Sequence, residues 1–190
     1  MLEISRGKNV YMSSSKSPFF ADTDTPESAY NARRYNFTLS FIRELHGDVL
    51  DCGERNPIND LIEKKFNVKI KNTFGDLDVA TIDGKYDYVL AFEIIEHLMN
   101  PLWLLLQIKN VLKPGGTLYL STPINKPKFL WRHDHFHEFD EYRLRALAER
   151  AGFEIVRSER RRFYSITGVR PIIRVLLKTG TMFLELKPKS

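Results

Sequence analysis

Short apolar runs alternate with amphipathic segments along most of this chain. Apolar residues at helical spacing predict a helix that starts at Ser28 and stops at Gly47. The same spacing predicts helices in NPINDLIEKKF, LWLLLQIKNVL and DEYRLRALAERAG. Between and after these helices, buried strands are predicted at DVLDC, NVKIKNT, YDYVLAF, TLYLSTP, FEIVRSE and TMFLEL. Strands that alternate with helices favour an α/β fold built on a mostly parallel sheet.

Local signals at the ends of these elements refine the picture. Asn56 followed by Pro57 is typical of a helix start, because proline suits the first helical position after a polar cap. Glu93 is predicted to open a helical stretch that Pro101 restarts. The KPGG sequence is predicted to end that helix before the next strand begins.

The two ends of the chain differ from its middle. Residues 1–28 are rich in Ser, Asp, Thr and Pro, which predicts a flexible arm ahead of a single domain at 29–190. Near the other end, VRPIIRVLLKTG predicts a further helix. Its apolar residues favour packing onto the sheet, while attachment to a membrane surface stays open as the alternative.

Composition narrows the class of protein. A length of 190 residues with 43% hydrophobic and 28% charged residues suits one globular domain and excludes a chain that is disordered throughout. The net charge of +5 is modest, and an acidic partner and a simply solvated surface both fit it. The lone cysteine, Cys52, predicts a reducing, cytoplasmic setting. No apolar run is long enough to span a membrane, and Met1–Val10 does not resemble a signal peptide.

The predicted strand ends locate a ligand site. In open parallel sheets, ligands bind beyond the carboxyl ends of the strands. Gly53, Glu93 and Thr122 all fall at strand ends on that edge. The edge therefore predicts one binding site, centred on the turn after DVLDC.

Four segments in this order resemble the class I S-adenosylmethionine-dependent methyltransferases. They are VLDCGE, KYDYVLAFEIIEHLMNP, VLKPGGTLYLSTP and FHEFDEYRLRALAERAGFEIV, which together run from Asp48 to Val156. The resemblance implies a Rossmann-like sheet, mostly parallel with an antiparallel C-terminal strand. It also implies S-adenosylmethionine as the cofactor.

The resemblance assigns cofactor-binding roles to individual residues. Gly53 would let the backbone approach the methionine part of the cofactor, and Asp51 would orient that turn near the cofactor amine. An acidic residue at the end of the second strand would accept the ribose hydroxyls. FGDLD offers Asp76 and Asp78 for this role.

The same resemblance places the methyl-transfer pocket after YDYVLAF. Phe92 and Glu93 would line it, and His97 or His135 would remove a proton from a substrate hydroxyl. No nucleophilic Cys–His or Ser–His–Asp arrangement stands out, so we expect no covalent intermediate.

Two departures from the family pattern affect these expectations. The turn reads GERNP where the family has Gly-x-Gly-x-Gly, so Arg55 could either crowd the cofactor or bind its carboxylate. The stretch between Asp78 and Asp87 is too short for a helix and a third strand, which predicts a sheet shortened between family strands 2 and 4. Because Asp51, Gly53 and the Asn56–Pro57 helix start remain, we expect the turn to bind cofactor.

A metal site is the second chemical question that the sequence raises. On a helix, Glu93, Glu96 and His97 would share one face, and HDHFHEF supplies His135 as a distant fourth ligand. This resembles the Glu-x-x-Glu-His signature of metal-assisted O-methyltransferases that act on quinone precursors or on small-RNA 3′ ends. Glu-His-Leu is also frequent in methyltransferases that bind no metal, so a divalent ion is possible but not expected.

The function expected is methyl transfer from S-adenosylmethionine to a small-molecule acceptor, with O-methylation favoured over transfer to nitrogen or carbon. Two alternatives stay open. A non-catalytic module could keep the fold and bind a partner through its basic surface. A metal-assisted RNA 2′-O-methyltransferase is the other, less favoured because the positive charge is mild. The sequence leaves the acceptor and the oligomeric state open.

Overall fold

The computed structural model of this protein describes residues 29–163 and 179–189. The predicted arm at 1–28 lies outside the described residues, as does nearly all of the helix predicted at VRPIIRVLLKTG. Within the part that is described, no helix is long and apolar enough to cross a membrane.

In the described part of the chain, a mixed sheet of six strands forms the centre of the fold, in the order β2-β1-β3-β4-β6-β5. The strands are β1 (Val49–Asp51), β2 (Ile70–Asn72), β3 (Tyr86–Phe92), β4 (Leu112–Ile124), β5 (Phe153–Arg161) and β6 (Gly180–Pro188). Neighbours among β1 to β4 pair in parallel, whereas β6 runs antiparallel to both β4 and β5. The predicted mostly parallel sheet with an antiparallel last strand is confirmed.

The sheet is also shortened where the sequence predicts it. β2 is an edge strand, and the described residues 73–85 contain no further strand between it and β3. The chain returns from β2 directly to β3, which pairs with the other side of β1. This places the polar residues that follow β2 next to the turn after β1.

Within residues 29–163 and 179–189, four α-helices cover the sheet: α1 (Ala29–Phe41), α2 (Pro57–Phe66), α3 (Pro101–Val111) and α4 (Glu141–Arg150). Short 3-10 turns at Ile95–His97 and Lys128–Leu130 add to them. Asn56 caps α2 by accepting from Ile58 N, and Pro57 is its first residue, as the sequence predicts. The cap is a reciprocal pair, because the side chain of Asn59 accepts from Asn56 N.

The described residues form two apolar cores, on opposite faces of the sheet. Successive residues of β3 alternate between them: Tyr88 and Leu90 belong to one core, Val89 and Ala91 to the other. Helices α1 and α2 complete the first core, and α3 and α4 complete the second. Both faces of the parallel strands are therefore buried, which explains their continuous apolar runs.

Three predicted boundaries are wrong in detail. α1 ends at Phe41, although Ile42 and Leu45 beyond it are still buried. KPGG belongs to the start of β4, which begins at Leu112. Glycine suits this strand at Gly116, because a Cβ there would lie 3.0 Å from the Asp87 carbonyl oxygen of β3. Glu93 does not open a helix but lies in a left-handed conformation ahead of the 3-10 turn.

Candidate functional site

The carboxyl ends of β1, β3 and β4 lie side by side at one edge of the sheet. β1 ends at Asp51 and leads into the turn before α2, and β3 ends at Phe92. Ser121 and Thr122 lie near the end of β4, where Ser121 pairs with Phe92. The strands thus bring Asp51 and Thr122, which are 71 positions apart in the sequence, to the same edge of the sheet.

Asp51 anchors a buried polar network beneath the turn. Its side chain is buried, and its Oδ2 accepts hydrogen bonds from Asn59 Nδ2 at 2.9 Å and Asn72 Nδ2 at 3.3 Å. Burial raises the pKa of the Asp51 carboxyl to about 7, although the two amide donors act in the opposite direction. The network joins the end of β1 to α2 and to the end of β2.

Gly53 forms the middle of the turn. It adopts a φ of +116°, which suits glycine and strains other residues. Its N–H donates to Thr73 Oγ1 at 2.7 Å, and its carbonyl oxygen accepts from Asn72 Nδ2 at 3.1 Å. Among the described residues beyond its chain neighbours, only Ile94 Cδ1, at 3.7 Å, comes within 4 Å of the place that a Cβ would take. The backbone is therefore accessible on that side, as a ligand that approaches it closely requires.

Arg55 is held against α2. One Nη atom lies 2.5 Å from Asp60 Oδ1 and 2.7 Å from Glu63 Oε2. The hydrogen bond from Arg55 lowers the pKa of Glu63 to about 2. The guanidinium is thus engaged by two carboxylates of the helix that follows it, and in this structure it points to α2.

Asp76 and Asp78 do not lie at the end of the second strand, where the sequence interpretation puts them. β2 ends at Asn72, which occupies that place together with Thr73. Both carboxylate oxygens of Asp78 accept backbone N–H groups, from Met99 at 3.1 Å and from Asn100 at 2.7 Å. Asp78 therefore fastens its loop to the start of α3.

The carboxylate of Asp76 accepts from Asp78 N at 2.9 Å and is exposed. Sequence reasoning missed Asn72 because it looked for an acidic residue. The position of Asn72 could have indicated it, because Asn72 continues the alternation of Val68 and Ile70 along the strand. Its side chain donates to Asp51 Oδ2.

Glu93 follows β3 in the left-handed region, with a φ of +54°. A non-glycine residue in that region costs on the order of 1 kcal/mol, so surrounding contacts must hold it there. Its N–H donates to the Ser121 carbonyl oxygen at 2.9 Å, and its Oε1 accepts from Ser121 Oγ at 2.8 Å. Arg34 Nη1 of α1 lies 3.7 Å from the other carboxylate oxygen. Phe92, just before it, is partly buried against the core that α1 and α2 complete.

The side chains of Glu96, His97 and His135 converge into one cluster. One potential ligand atom from each lies within 4.8 Å of the others, and Glu93 is not part of this group. Glu96 is buried and accepts from Thr122 Oγ1 at 2.9 Å. Burial, followed by the nearby charge of Glu93, raises the pKa of the Glu96 carboxyl to about 8.

The two histidine rings meet edge to face, with their centroids 4.7 Å apart. His97 Nδ1 lies 2.9 Å from the Asp134 carbonyl oxygen, which can only accept a hydrogen bond. We therefore assign the proton to Nδ1 and a free lone pair to Nε2. Burial lowers the pKa of His97 below its usual value, and the neighbouring His135 lowers it further. His97 is thus a neutral imidazole with an available acceptor nitrogen.

Two further charged residues surround His135 and were missed from the sequence. Lys126 Nζ lies 3.2 Å from His135 Nδ1. Glu138 Oε1 lies 3.2 Å from the same nitrogen, and its side chain is nearly buried. Their charges could have indicated them in the sequence, because Lys126 comes shortly after the TLYLSTP strand and Glu138 lies within HDHFHEF.

Comparison with known proteins agrees with this architecture. Residues 19–158, well over half of the chain, match the model of a family described as a methyltransferase domain. A stretch of 81 residues is 35% identical to the ubiquinone biosynthesis O-methyltransferase of Cereibacter sphaeroides, covering 41% of this chain and 32% of that protein. Over 69 residues, the mitochondrial ubiquinone biosynthesis O-methyltransferase of Dictyostelium discoideum is 32% identical, covering 36% of this chain and 21% of that protein. The matched segments thus span less than a third of the length of these curated relatives.

A solved structure shares the fold. The O-methyltransferase of a trans-AT PKS multienzyme from Brevibacillus brevis, in complex with S-adenosyl-L-homocysteine, has a TM-score of 0.56 and 12% sequence identity. The likeness covers 82% of this chain and 72% of that one. At this identity it shows the fold alone.

Proposed function

The chain belongs to the class I S-adenosylmethionine-dependent methyltransferases, and from that premise we propose that it methylates an oxygen atom of a small metabolite. The observation that carries the proposal is His97, a neutral imidazole with a free Nε2 beside the turn that follows β3. A hydroxyl acceptor needs such a base, because its oxygen becomes a better nucleophile as the proton leaves. The segments similar to ubiquinone biosynthesis O-methyltransferases support the choice of oxygen.

The cofactor is proposed to lie against the turn at Gly53. The left-handed glycine with its accessible backbone fits a ligand that must approach closely, and the Asp51 network holds this turn in place. For the ribose, we propose Asn72 with Asp76, since both oxygens of Asp78 already accept backbone N–H groups. Phe92 and Glu93 are proposed to line the acceptor pocket.

The proposed chemistry needs no covalent intermediate. S-adenosylmethionine supplies an electrophilic methyl group on a sulfonium. With the cofactor held at the Gly53 turn, a bond would form between the acceptor oxygen and that methyl carbon as the carbon–sulfur bond breaks. Sulfur would keep the electron pair, and S-adenosylhomocysteine would leave. The hydroxyl proton passes to His97 Nε2 and then to solvent, while His135 orients the acceptor. The protein's main contribution is to align the reacting atoms.

Calorimetric titration with S-adenosylhomocysteine tests the cofactor site. Wild type should bind at tens of micromolar or tighter, about −6 kcal/mol or better. Gly53→Trp, Asn72→Ala and Asp76→Ala should bind more weakly, with Asp78→Ala as the comparison and exposed Lys128→Met as the control. Absence of heat and of a thermal shift at millimolar ligand would favour a non-catalytic binding module. Equal binding by all variants would show that the site lies elsewhere.

Transfer of a labelled methyl group tests the acceptor class. Hydroxylated small molecules, including catechols, should accept label, and single-stranded RNA should not. Metal-assisted RNA 2′-O-methylation is the second candidate, because Glu96, His97 and His135 converge and the signature they resemble includes enzymes that act on small-RNA 3′ ends. Label incorporated into RNA, together with salt-dependent RNA binding, would replace the first proposal with the second.

We also propose that residues 29–190 act as one domain and that the protein works in the cytoplasm. The support for the location is Cys52, which is buried and free.

A further inference from the structure

One charged group at this site has no role in the proposed reaction. Lys126 lies just beyond the end of β4, and its side chain turns back into the site, where Nζ comes within 3.2 Å of His135 Nδ1. The side chain is partly buried, so its charge is poorly compensated by water.

Burial lowers the pKa of the Lys126 ammonium below its usual value. The nearby carboxylates of Glu138, Glu96 and Glu93 act against this lowering and favour the charged form. Glu138 has both carboxylate oxygens buried, and neither has a hydrogen-bond partner among the described residues. A buried carboxylate such as Glu138 requires a cation nearby. Lys126 is placed for this, because its Nζ and Glu138 Oε1 each lie 3.2 Å from His135 Nδ1.

The contact with His135 has a defined direction. Of the two groups that lie 3.2 Å from His135 Nδ1, Lys126 meets the geometry of a hydrogen bond, whereas Glu138 does not. An ammonium can only donate, so Nδ1 must accept and the ring proton must reside on Nε2. The two histidines then hold opposite tautomers, with His97 protonated at Nδ1 and His135 at Nε2.

We propose that Lys126 is a positioning residue that fixes the tautomer of His135 and supplies the cation of the Glu96–His97–His135 cluster in place of a divalent metal. A metal ligand must offer a lone pair. His135 offers none, because Nδ1 accepts from Lys126 and Nε2 carries the proton. A second cation would also be repelled by the ammonium. His135 Nε2–H is left as a donor toward the acceptor, a role that rests on the proposed function.

The test compares wild type with Lys126→Met, which keeps the length of the side chain but removes its charge. Lys126→Arg restores the charge, and Lys128→Met is the matched control at an exposed lysine two positions away. Two readouts are used. Nitrogen-15 NMR of the imidazole rings reports the tautomer of His135, and paramagnetic resonance of Mn²⁺ reports cation binding.

Wild type, Lys126→Arg and Lys128→Met should show His135 protonated at Nε2 and should not bind Mn²⁺ at about 1 mM. In Lys126→Met, His135 should move its proton to Nδ1, toward Glu138, and affinity for Mn²⁺ should rise by at least about tenfold. Adding His97→Ala should remove that gain.

Stoichiometric Mn²⁺ binding by wild type would overturn the proposal, as would an unchanged His135 tautomer in Lys126→Met. If Lys126→Met fails to fold, the wild-type spectrum decides the question by itself. A proton on Nδ1 of His135 in wild type would overturn the proposal. These results are independent of S-adenosylhomocysteine binding, so loss of the proposed function would be recognised separately by calorimetry.

Discussion

The side-chain amide of Asn59 donates a 2.9 Å hydrogen bond to Asp51 Oδ2, which links the first turn of α2 to the end of β1. Asn59 also accepts from Asn56 N and from Asn72 Nδ2. Side-chain amides and a carboxylate therefore hold the turn on its buried side. They also pair with backbone groups of the turn, such as Asn56 N and the Gly53 carbonyl oxygen. This explains how the turn keeps its shape with a single glycine, Gly53.

Asp51 should make stability depend on pH in an unusual direction. Its pKa of about 7 in the folded protein lies above the unfolded value of about 3.9. The folded state thus binds the proton more tightly, and the free energy of unfolding should fall as pH rises from about 4 to 7, by about 4 kcal/mol at most. Urea unfolding of wild type and Asp51→Asn at several pH values isolates this effect. An identical pH dependence in both proteins would contradict it.

Thr73→Val should destabilise the turn itself. The substitution removes the hydroxyl that accepts from Gly53 N at 2.7 Å while keeping the size of the side chain. Leaving that N–H without a partner should cost about 1–3 kcal/mol of unfolding free energy. The affinity for S-adenosylhomocysteine should fall as well. Thr73→Ser keeps the hydroxyl and should retain most of both; equal loss in the two variants would argue against the hydrogen bond.

Arg55→Ala should leave binding of S-adenosylhomocysteine unchanged to within about twofold, because the Arg55 side chain points to α2 and not to the cofactor. Loss of its exposed ion pairs should also change the stability of the protein little. The Arg55 guanidinium is already held by Asp60 and Glu63. The pKa of Glu63 should rise from about 2 toward its usual range, since Arg55 is the main cause of the lowering. NMR titration of Glu63 and calorimetry check the two expectations. A large loss of affinity would mean that Arg55 binds the cofactor carboxylate.

Thr122→Val should affect Glu96 specifically. Thr122 is fully buried, and its hydroxyl donates to Glu96 Oε2 at 2.9 Å. Removing that donor should reduce the unfolding free energy by about 1–3 kcal/mol and raise the pKa of Glu96 above about 8. Chemical denaturation and carboxyl carbon-13 NMR measure these changes. Thr122→Ser is the control, and an unchanged Glu96 titration in Thr122→Val would contradict the assignment.

His97→Asn should lower the rate of methyl transfer by roughly 10²–10⁴-fold, the range typical of a lost general base. The amide nitrogen of asparagine takes the place of Nδ1 and can still donate to the Asp134 carbonyl oxygen, so the fold and the affinity for S-adenosylhomocysteine should be kept. His135→Gln should have a smaller effect on the rate, because that ring is assigned as a donor. A larger loss in His135→Gln would exchange the two roles.

The order of strands and helices could be predicted from the sequence because it depends on local periodicity. Strands of a sheet that is covered by helices on both faces are recognised by their continuous apolar runs, whatever their order in the sheet. The start of α2 was predictable for the same reason, since Asn56 and Pro57 act through neighbouring backbone groups. The missing strand was predictable from chain length alone, because the segment after Asp78 is too short to contain it.

Contacts between distant residues were decided only by the tertiary structure. Whether Arg55 faces the ligand or α2 depends on Asp60 and Glu63, and no local pattern encodes that choice. The left-handed backbone at Glu93 depends on hydrogen bonds to Ser121 of the adjacent strand, which is 28 positions away. A helical pattern in FEIIEHL therefore misled the sequence interpretation.

The same limit applies to the candidate chemistry. The sequence by itself determined that Asp51 and Gly53 end the first strand and that several histidines follow the fourth. Only the folded chain placed Asn72 under the turn and Lys126 beside His135. Hydrogen bonds act over about 3 Å and depend on direction. Their partners are therefore fixed by how the strand ends and loops pack in space, and not by the order of residues along the chain.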